Sequence, residues 1–200
     1  MSAEVAPRVL GIAGSPRRGG NSDRLLEACL KAARLAGAET DLLVVADAGI
    51  APCRGCNTCS STGDCVVHDG AQDAYARIDA ADAIVIASPV YFATVPATLK
   101  ALYDRCQQYW ARRYVLGVPL ERRRPGAYLI VGGGGDPYGH ECAVTTTRSV
   151  FAVLGVDYSA ELFVRADTPS EVGGQPAALA RAEEIGTAIA QDAAERLRRS

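Results

Sequence analysis

Apolar runs of strand length alternate with helix-length amphipathic stretches along the 200 residues. Arg8 to Ala13 (RVLGIA) predicts a first strand. Asn21 or Ser22 can then cap a helix whose apolar positions include Leu26, Leu30 and Ala33, with Gly37 closing it. Asp41 to Ala46 (DLLVVA) predicts a second strand, and a short helix is expected from Asp69 to Asp79. The unbroken apolar run Ala83 to Ala87 (AIVIA) fits a parallel strand buried on both faces. Pro96 suits the first turn of the next helix, whose stripe is Leu99, Leu102, Tyr103 and Cys106, at i, i+3, i+4 and i+7. Ala127 to Val131 (AYLIV) predicts a fourth strand running into Gly132 to Gly135, with helix following to about Leu154. Val156, Tyr158, Ala160, Leu162 and Val164 alternate with polar or mixed residues, as an edge strand does. The last helix, Pro176 to Arg198, carries Leu179, Ala182, Gly186, Ile189 and Leu197 on one side.

Five strands alternating with five helices predict an α/β fold: a doubly wound, five-stranded parallel sheet with helices on both faces. No internal repeat or dividing linker interrupts the chain, so residues 1–200 are expected to form a single domain. Chemistry in such a sheet gathers beyond the C-terminal strand ends. The segments GSPRRGGNS, CRGCNTCSSTGDC, SPVYF and GGGGDPYG follow the first four strands, so all four are expected on one rim.

Composition narrows the reading. With 48% apolar and 22% charged residues and a net charge of -2, the chain has a core and no basic excess to attract nucleic acid or an anionic membrane. No apolar run approaches the ~20 residues of a membrane span, and the N-terminus has no leader pattern, so a cytoplasmic location is expected. A reducing cytosol and an odd total of seven cysteines argue against complete disulfide pairing. Cys29 and Cys106 fall on apolar helix faces, and Cys142 can pack likewise. Cys53, Cys56, Cys59 and Cys65 sit among polar residues, where packing does not explain them.

Gly14 to Ser22 joins a strand to a helix N-terminus, where backbone N–H groups and the helix dipole favour an anion. Ser15, Asn21 and Ser22 can add hydrogen bonds, and Arg17 or Arg18 charge. The loop matches neither the dinucleotide nor the ATP fingerprint, so the expected ligand is a terminal phosphate monoester, as in a mononucleotide. The alternative is a Gly-rich turn with solvated arginines. Ser88 to Phe92 can back a flat heterocycle, or else Tyr91 and Phe92 are core aromatics. The run from Gly132 lets backbone approach a planar group, or is a flexible turn. Together the three loops describe one FMN across the rim.

The stretches GIAGSPRRGGNSDRLLEACL, PCRGCNTCSSTGDCVVHDG and ADAIVIASPVYFATVPATLKALYDR resemble the NADPH-dependent FMN reductase superfamily of flavodoxin-like proteins. The cysteine spacing resembles its iron–sulfur flavoprotein family. The resemblance implies FMN held at its phosphate by Ser15, Arg17, Asn21 and Ser22. It implies an isoalloxazine held by Pro89, Val90, Tyr91 and Phe92 with the glycine loop Gly132, Gly133 and Gly134. It also implies a homodimer or homotetramer with the flavin near a subunit interface.

Cys53, Cys56, Cys59 and Cys65 form C-x2-C-x2-C-x5-C. Structural zinc sites use two close pairs with a longer spacer. Three cysteines at successive intervals of three resemble the ferredoxin run around a 4Fe–4S cluster, which Cys65 can close after a turn at Gly63. Zinc and a metal-free loop remain the alternatives. His68 and His140 read as surface or capping residues, although His140 beside the glycine loop can reach a substrate. Arg112, Arg113 and Arg122 to Arg124 suit an acidic substrate or the 2′-phosphate of NADPH, but read better as a solvated or subunit-facing strip. Tyr109, Trp110 and Tyr114 are expected at an oligomer contact or an active-site wall.

The expected protein is an FMN-dependent iron–sulfur flavoprotein oxidoreductase. Its flavin would trade two electrons with an organic or NAD(P)H donor and single electrons with the cluster or a partner such as ferredoxin. Because the cofactors carry such chemistry, no side chain is assigned as catalytic. The alternatives are a dehydrogenase of a chorismate-derived intermediate, a cluster-free NAD(P)H:FMN or quinone reductase, and a non-enzymatic electron carrier or redox sensor.

Overall fold

The computed structural model describes residues 5–199. Residues 1–4, which carry part of the N-terminal stretch expected to lack a leader, and residue 200 lie outside the described residues. The strands are β1 (Arg8–Ala13), β2 (Glu39–Val44), β3 (Ala83–Pro89), β4 (Arg124–Gly132) and β5 (Val156–Arg165). They form one parallel sheet in the order β2-β1-β3-β4-β5. The helices are α1 (Asn21–Leu35), α2 (Cys59–Thr62), α3 (Ala71–Ala80), α4 (Ala97–Arg105), α5 (Gln107–Trp110), α6 (Glu141–Val153) and α7 (Pro176–Arg199). Among the described residues, no helix is long and apolar enough to cross a membrane.

Strand alternation sorts the core into two layers. Val9, Val85, Leu129 and Val131 face α1 and α7, while Leu10, Ile12, Ile84, Ile86 and Ile130 face α3, α4 and α6. Each fully buried Leu or Ile contributes about 1.5–3 kcal/mol. The α1–α7 contact depends on Gly186, where a Cβ would lie 2.0 Å from the Cys29 carbonyl oxygen. The stripe Leu99, Leu102, Tyr103 and Cys106 is buried as its spacing requires, and burial pushes the Cys29 and Cys106 thiols up to about 12.

The fold matches the expected class, with local differences: α3 starts at Ala71 instead of Asp69, β3 runs on to Pro89, and the short helices α2 and α5 are additional. β2 begins and ends two residues earlier than its apolar run, because the Glu39 N–H donates to the Pro7 carbonyl at 2.9 Å and starts the ladder there; Val45–Asp47 is then a 3-10 turn. β4 extends past its apolar run at both ends and is buried throughout. Gly20, rather than Asn21 or Ser22, is the N-cap of α1. Cys142 is exposed on α6, not packed, so its apolar neighbours in sequence did not predict its face.

A buried ion pair ties the cysteine loop to this frame. The Arg105 guanidinium donates to Asp69 Oδ2 at 2.7 Å, to the Ala51 carbonyl at 3.0 Å and to the Val67 carbonyl at 2.7 Å. Burial acts to raise the Asp69 pKa. Hydrogen bonds from Arg105 and from the Ala71 and Ala51 N–H groups outweigh it and hold the carboxyl below its ordinary value.

Two outcomes are expected. Gly186→Ala gains up to ~1 kcal/mol of helix propensity but forces α7 off the α1 backbone, for a net loss of about 2 kcal/mol in urea unfolding. Asp69→Asn leaves a buried guanidinium without its counter-charge and costs about 3 kcal/mol at neutral pH. The Asp69 contribution is complete above the unfolded carboxyl value of about 3.9 and fades as pH falls through the lower folded value. Urea curves at pH 7 and pH 3 should therefore show the gap between wild type and variant narrowing in acid.

Candidate functional site

A cavity of about 200 Å³ opens where β1, β3, β4 and β5 end. Its first wall is the turn from β1 into α1. The Gly14 N–H donates to the Ala87 carbonyl at 2.8 Å, and a Cβ there would lie 2.5 Å from Leu99 Cδ2, so only glycine lets the chain cross β3 this closely. The Ser15 hydroxyl accepts from the Arg17 N–H and donates to the Arg17 carbonyl, both at 3.0 Å. Gly19 has φ +66° and donates its N–H to Asp23 Oδ2 at 2.8 Å. Burial raises the Asp23 pKa despite that N–H and nearby Arg18, which pairs with Asp47 at 3.1 Å. The first helical bond runs from the Arg24 N–H to the Gly20 carbonyl, so the N–H groups of Asn21, Ser22 and Asp23 are those a helix start leaves free for an anion. Arg17 lines the cavity with an exposed side chain.

The second wall comes from β3 and β4. The Val90 N–H donates to the Val131 carbonyl at 2.8 Å, and Tyr91 and Thr94 bridge across a two-residue turn. That turn places Phe92 and Ala93 at φ +50° and +62°, a conformation costing side-chain-bearing residues about 1–2 kcal/mol each. Phe92 is 98% exposed and does not line the cavity, so it is neither a core aromatic nor part of this wall. Gly132 and Gly133 line the cavity and Gly134 does not. A Cβ on Gly133 would lie 2.1 Å from the Asp167 carboxylate and one on Gly134 2.1 Å from the Arg165 guanidinium. Both neighbours are the free ends of exposed side chains at or just past the close of β5, able to move aside.

The third wall, Ala166, Asp167, Thr168 and Pro169, is absent from the sequence reading. Glu171 organises it by accepting the Asp167 N–H, the Thr168 N–H and the Thr168 hydroxyl, each at 3.0 Å. Those bonds hold the Glu171 carboxyl below its ordinary value. Asn21 joins the first and third walls: its side-chain NH₂ donates to the Thr168 carbonyl at 2.8 Å and its oxygen accepts the Val172 N–H at 3.0 Å. The local signal was Thr168-x-x-Glu171, a spacing that lets the carboxylate fold back on the Thr168 N–H and hydroxyl. Of the residues singled out in the sequence, Ser15, Arg17, Asn21, Ser22, Pro89, Val90, Tyr91, Gly132 and Gly133 line this one cavity.

The four loop cysteines do not join that cavity. Cys53, Cys56, Cys59 and Cys65 line a separate pocket with Arg105, Gln107 and Gln108, at the far end of α4 from its start near β3. The loop leaves the rim because the Arg105 contacts with Ala51, Val67 and Asp69 fasten both its ends to that part of the helix. The Cys65 N–H donates to Gln108 Oε1 at 3.0 Å, and Gly55 and Asn57 turn the loop with φ +64° and +58°. The Thr58 N–H and hydroxyl hold the Cys56 thiol below its ordinary pKa, whereas burial raises that of Cys59. Among the described residues, no group of three or more His, Cys, Asp or Glu side chains is arranged to hold a metal ion. The donor set nevertheless suits iron–sulfur ligation: four cysteines share one pocket lining, and Arg105, also of that lining, has a buried Nε with no hydrogen-bond partner.

The remaining candidates lie elsewhere. Arg124 is buried and bonded to the Ile78, Ala81 and Leu154 carbonyls, which corrects its place in a solvated strip. Arg122 pairs with Asp82, Arg123 with Asp157 and Arg112 with Asp64, while Arg113 donates to the Ala152 carbonyl. Tyr109 is buried against Tyr75 and donates to Asp79 at 2.9 Å, so it is a core residue; Trp110 and Tyr114 are exposed. His68 is exposed, and His140 stacks on Phe163 with ring centroids 4.1 Å apart.

A family model for NADPH-dependent FMN reductase matches residues 7–167. An iron-sulfur flavoprotein of Methanosarcina thermophila is 37% identical over 126 residues, 63% of this chain and 63% of that one, so the match spans less than two thirds of that relative. An iron-sulfur flavoprotein of Archaeoglobus fulgidus is 30% identical over 184 residues, 92% of this chain and 79% of that one. The flavodoxin, WrbA-like protein from Agrobacterium tumefaciens shares the fold with a TM-score of 0.62 at 14% identity, covering 96% of this chain and 99% of that one. With a cavity at the strand ends, a flavodoxin-like sheet and this match to its sequence, the chain belongs to the NADPH-dependent FMN reductase family and is an FMN-dependent oxidoreductase.

Proposed function

We propose that the protein is an iron–sulfur flavoprotein oxidoreductase that passes electrons between an organic or nicotinamide donor and an acceptor. In this reading the rim cavity holds FMN and the cysteine pocket a 4Fe–4S cluster. The observation that carries it is the placement of four cysteines in one pocket lining, in a chain whose relatives are named iron-sulfur flavoproteins. When bound, FMN exchanges electrons in pairs or singly and the cluster singly, and the difficult chemistry is theirs.

The chain's own residues bind and orient. The N–H groups opening α1 and the Arg17 guanidinium hold the phosphate, with Ser22 beside them. Asn21 keeps that wall against residues 168–172 and so fixes the cavity's width. Pro89, Val90, Tyr91, Gly132 and Gly133 bound the ring side. At about 200 Å³ the cavity is below the ~300 Å³ of a site that encloses a whole ligand, so these residues would leave part of a bound FMN uncovered. The exposed Trp110, Tyr114, Val115 and Leu116 support a homodimer or homotetramer. The net charge of -2 supports a reading without nucleic-acid or membrane partners, in the cytoplasm.

A second reading, a cluster-free NAD(P)H:FMN or quinone reductase, is favoured by the exposure of Cys53 and Cys56. Anaerobic purification separates the two. The cluster reading expects one FMN with about four iron and four sulfide per chain, and loss of most iron but not FMN in Cys56→Ser/Cys59→Ser. FMN without iron after anaerobic reconstitution overturns it. Independently, Arg17→Ala should weaken FMN binding about 10- to 100-fold, the worth of one hydrogen bond to a charged group. Titration of the apoprotein by flavin fluorescence reads this directly, and unchanged affinity removes Arg17 from the phosphate site.

A further inference from the structure

We propose that Arg105 is a positioning residue for the cysteine pocket, whose Nε–H is the donor reserved for a sulfur held there. The inference rests on the iron–sulfur reading given above and concerns this chain's own side chain toward that group. Arg105 is 1% exposed, and its Nε is the one buried side-chain nitrogen or oxygen without a hydrogen-bond partner among the described residues. Buried guanidinium N–H groups are costly to leave unmade, and an orphan in a native fold calls for a ligand that completes it.

The surroundings say what that ligand is. The two Nη atoms are engaged by oxygen acceptors: Nη1 by Asp69 and the Ala51 carbonyl, Nη2 by the Val67 carbonyl. Those bonds stop the guanidinium from turning, and Arg105 is one of the residues that line the pocket with the four cysteines. Cys65 is held in that lining by its own N–H on Gln108 Oε1, and is an electrostatic neighbour of Arg105. The Tyr75 hydroxyl is also a neighbour of Arg105, but it donates to the Arg105 carbonyl at 3.0 Å and makes no hydrogen bond with Nε, so the assigned acceptor is sulfur: a ligating thiolate, that of Cys65 first, or a cluster sulfide next to it. One side chain then does two things. Its Nη groups staple the loop at residues 51 and 67–69, and its Nε–H and charge favour the reduced, more negative cluster. Hydrogen bonds to the sulfurs and net charge are among the factors that set such potentials.

The test uses the full chain, purified anaerobically, with iron and sulfide counted first. Arg105→Lys keeps the positive charge but removes Nε and the fork. It should retain its iron while the cluster midpoint, followed by EPR during redox titration, falls by about 59 mV, a tenfold change in a one-electron equilibrium. The FMN midpoint should not move. Should the variant fail to fold, wild type grown on ¹⁵N-arginine gives the second reading: a ¹⁵N hyperfine coupling on the reduced cluster that unlabelled protein lacks. A four-iron wild type with no arginine coupling, or with an Arg105→Lys midpoint equal to its own, overturns the Arg105 role and leaves the cluster standing. A wild type without iron overturns both, and the iron count tells the two failures apart.

Discussion

A parallel sheet must be covered on both faces, because its crossover connections are helices and its strands carry apolar side chains on either side. That requirement organises this molecule. With β3 central between β1 and β4, α1 and α7 close one face while α3, α4 and α6 close the other. Every strand therefore ends on the same rim, and the turns that leave it carry the least constrained backbone. The cavity stands there because the crossings diverge to opposite faces at that edge. Its walls come from β1, β3, β4 and β5 and are independent in sequence.

The walls are set largely by main-chain geometry. Gly14 turns against Leu99, and Gly133 and Gly134 lie beside the movable ends of Asp167 and Arg165. Asn21 and Glu171 spend their hydrogen bonds within the protein, fixing the spacing between the α1 start and the segment after β5. An anion arriving there meets N–H groups and a helix dipole already oriented, with little left to reorganise. The left-handed Phe92–Ala93 turn is the exception to this economy: it holds an aromatic ring in solvent at a conformational cost, beside Tyr91 of the cavity wall.

The cysteine loop obeys a different constraint. Of this thirteen-residue, mostly polar segment Cys65 packs against the core, and the charge of Arg105 fastens its flanks from inside. Arg105, on the buried side of α4, collects Asp69 and two loop carbonyls from residues far apart in sequence. In a low-dielectric setting such a pair is only tolerable with its partners complete. That is why the loop is drawn down the helix, away from the rim.

Elements of long, unbroken period were legible without coordinates. Ala83 to Ala87, the Leu99 stripe and the last helix follow from burial alone, as does the α/β class, since local periodicity reflects which side faces the core. The turn from Gly14 to Ser22 was legible as a strand-to-helix junction because its glycines and the apolar runs on either side are local signals. That the Thr168–Glu171 turn would wall this cavity and that the cysteines would leave the rim were not, because each placement depends on partners at least 36 residues away: Asn21 with Thr168, and Arg105 with Asp69. Sequence by itself determined which segments form strands and helices and which side chains have binding chemistry. Tertiary structure alone decided which of those side chains share a cavity, since hydrogen bonds and ion pairs between distant segments form only once the sheet has brought them together.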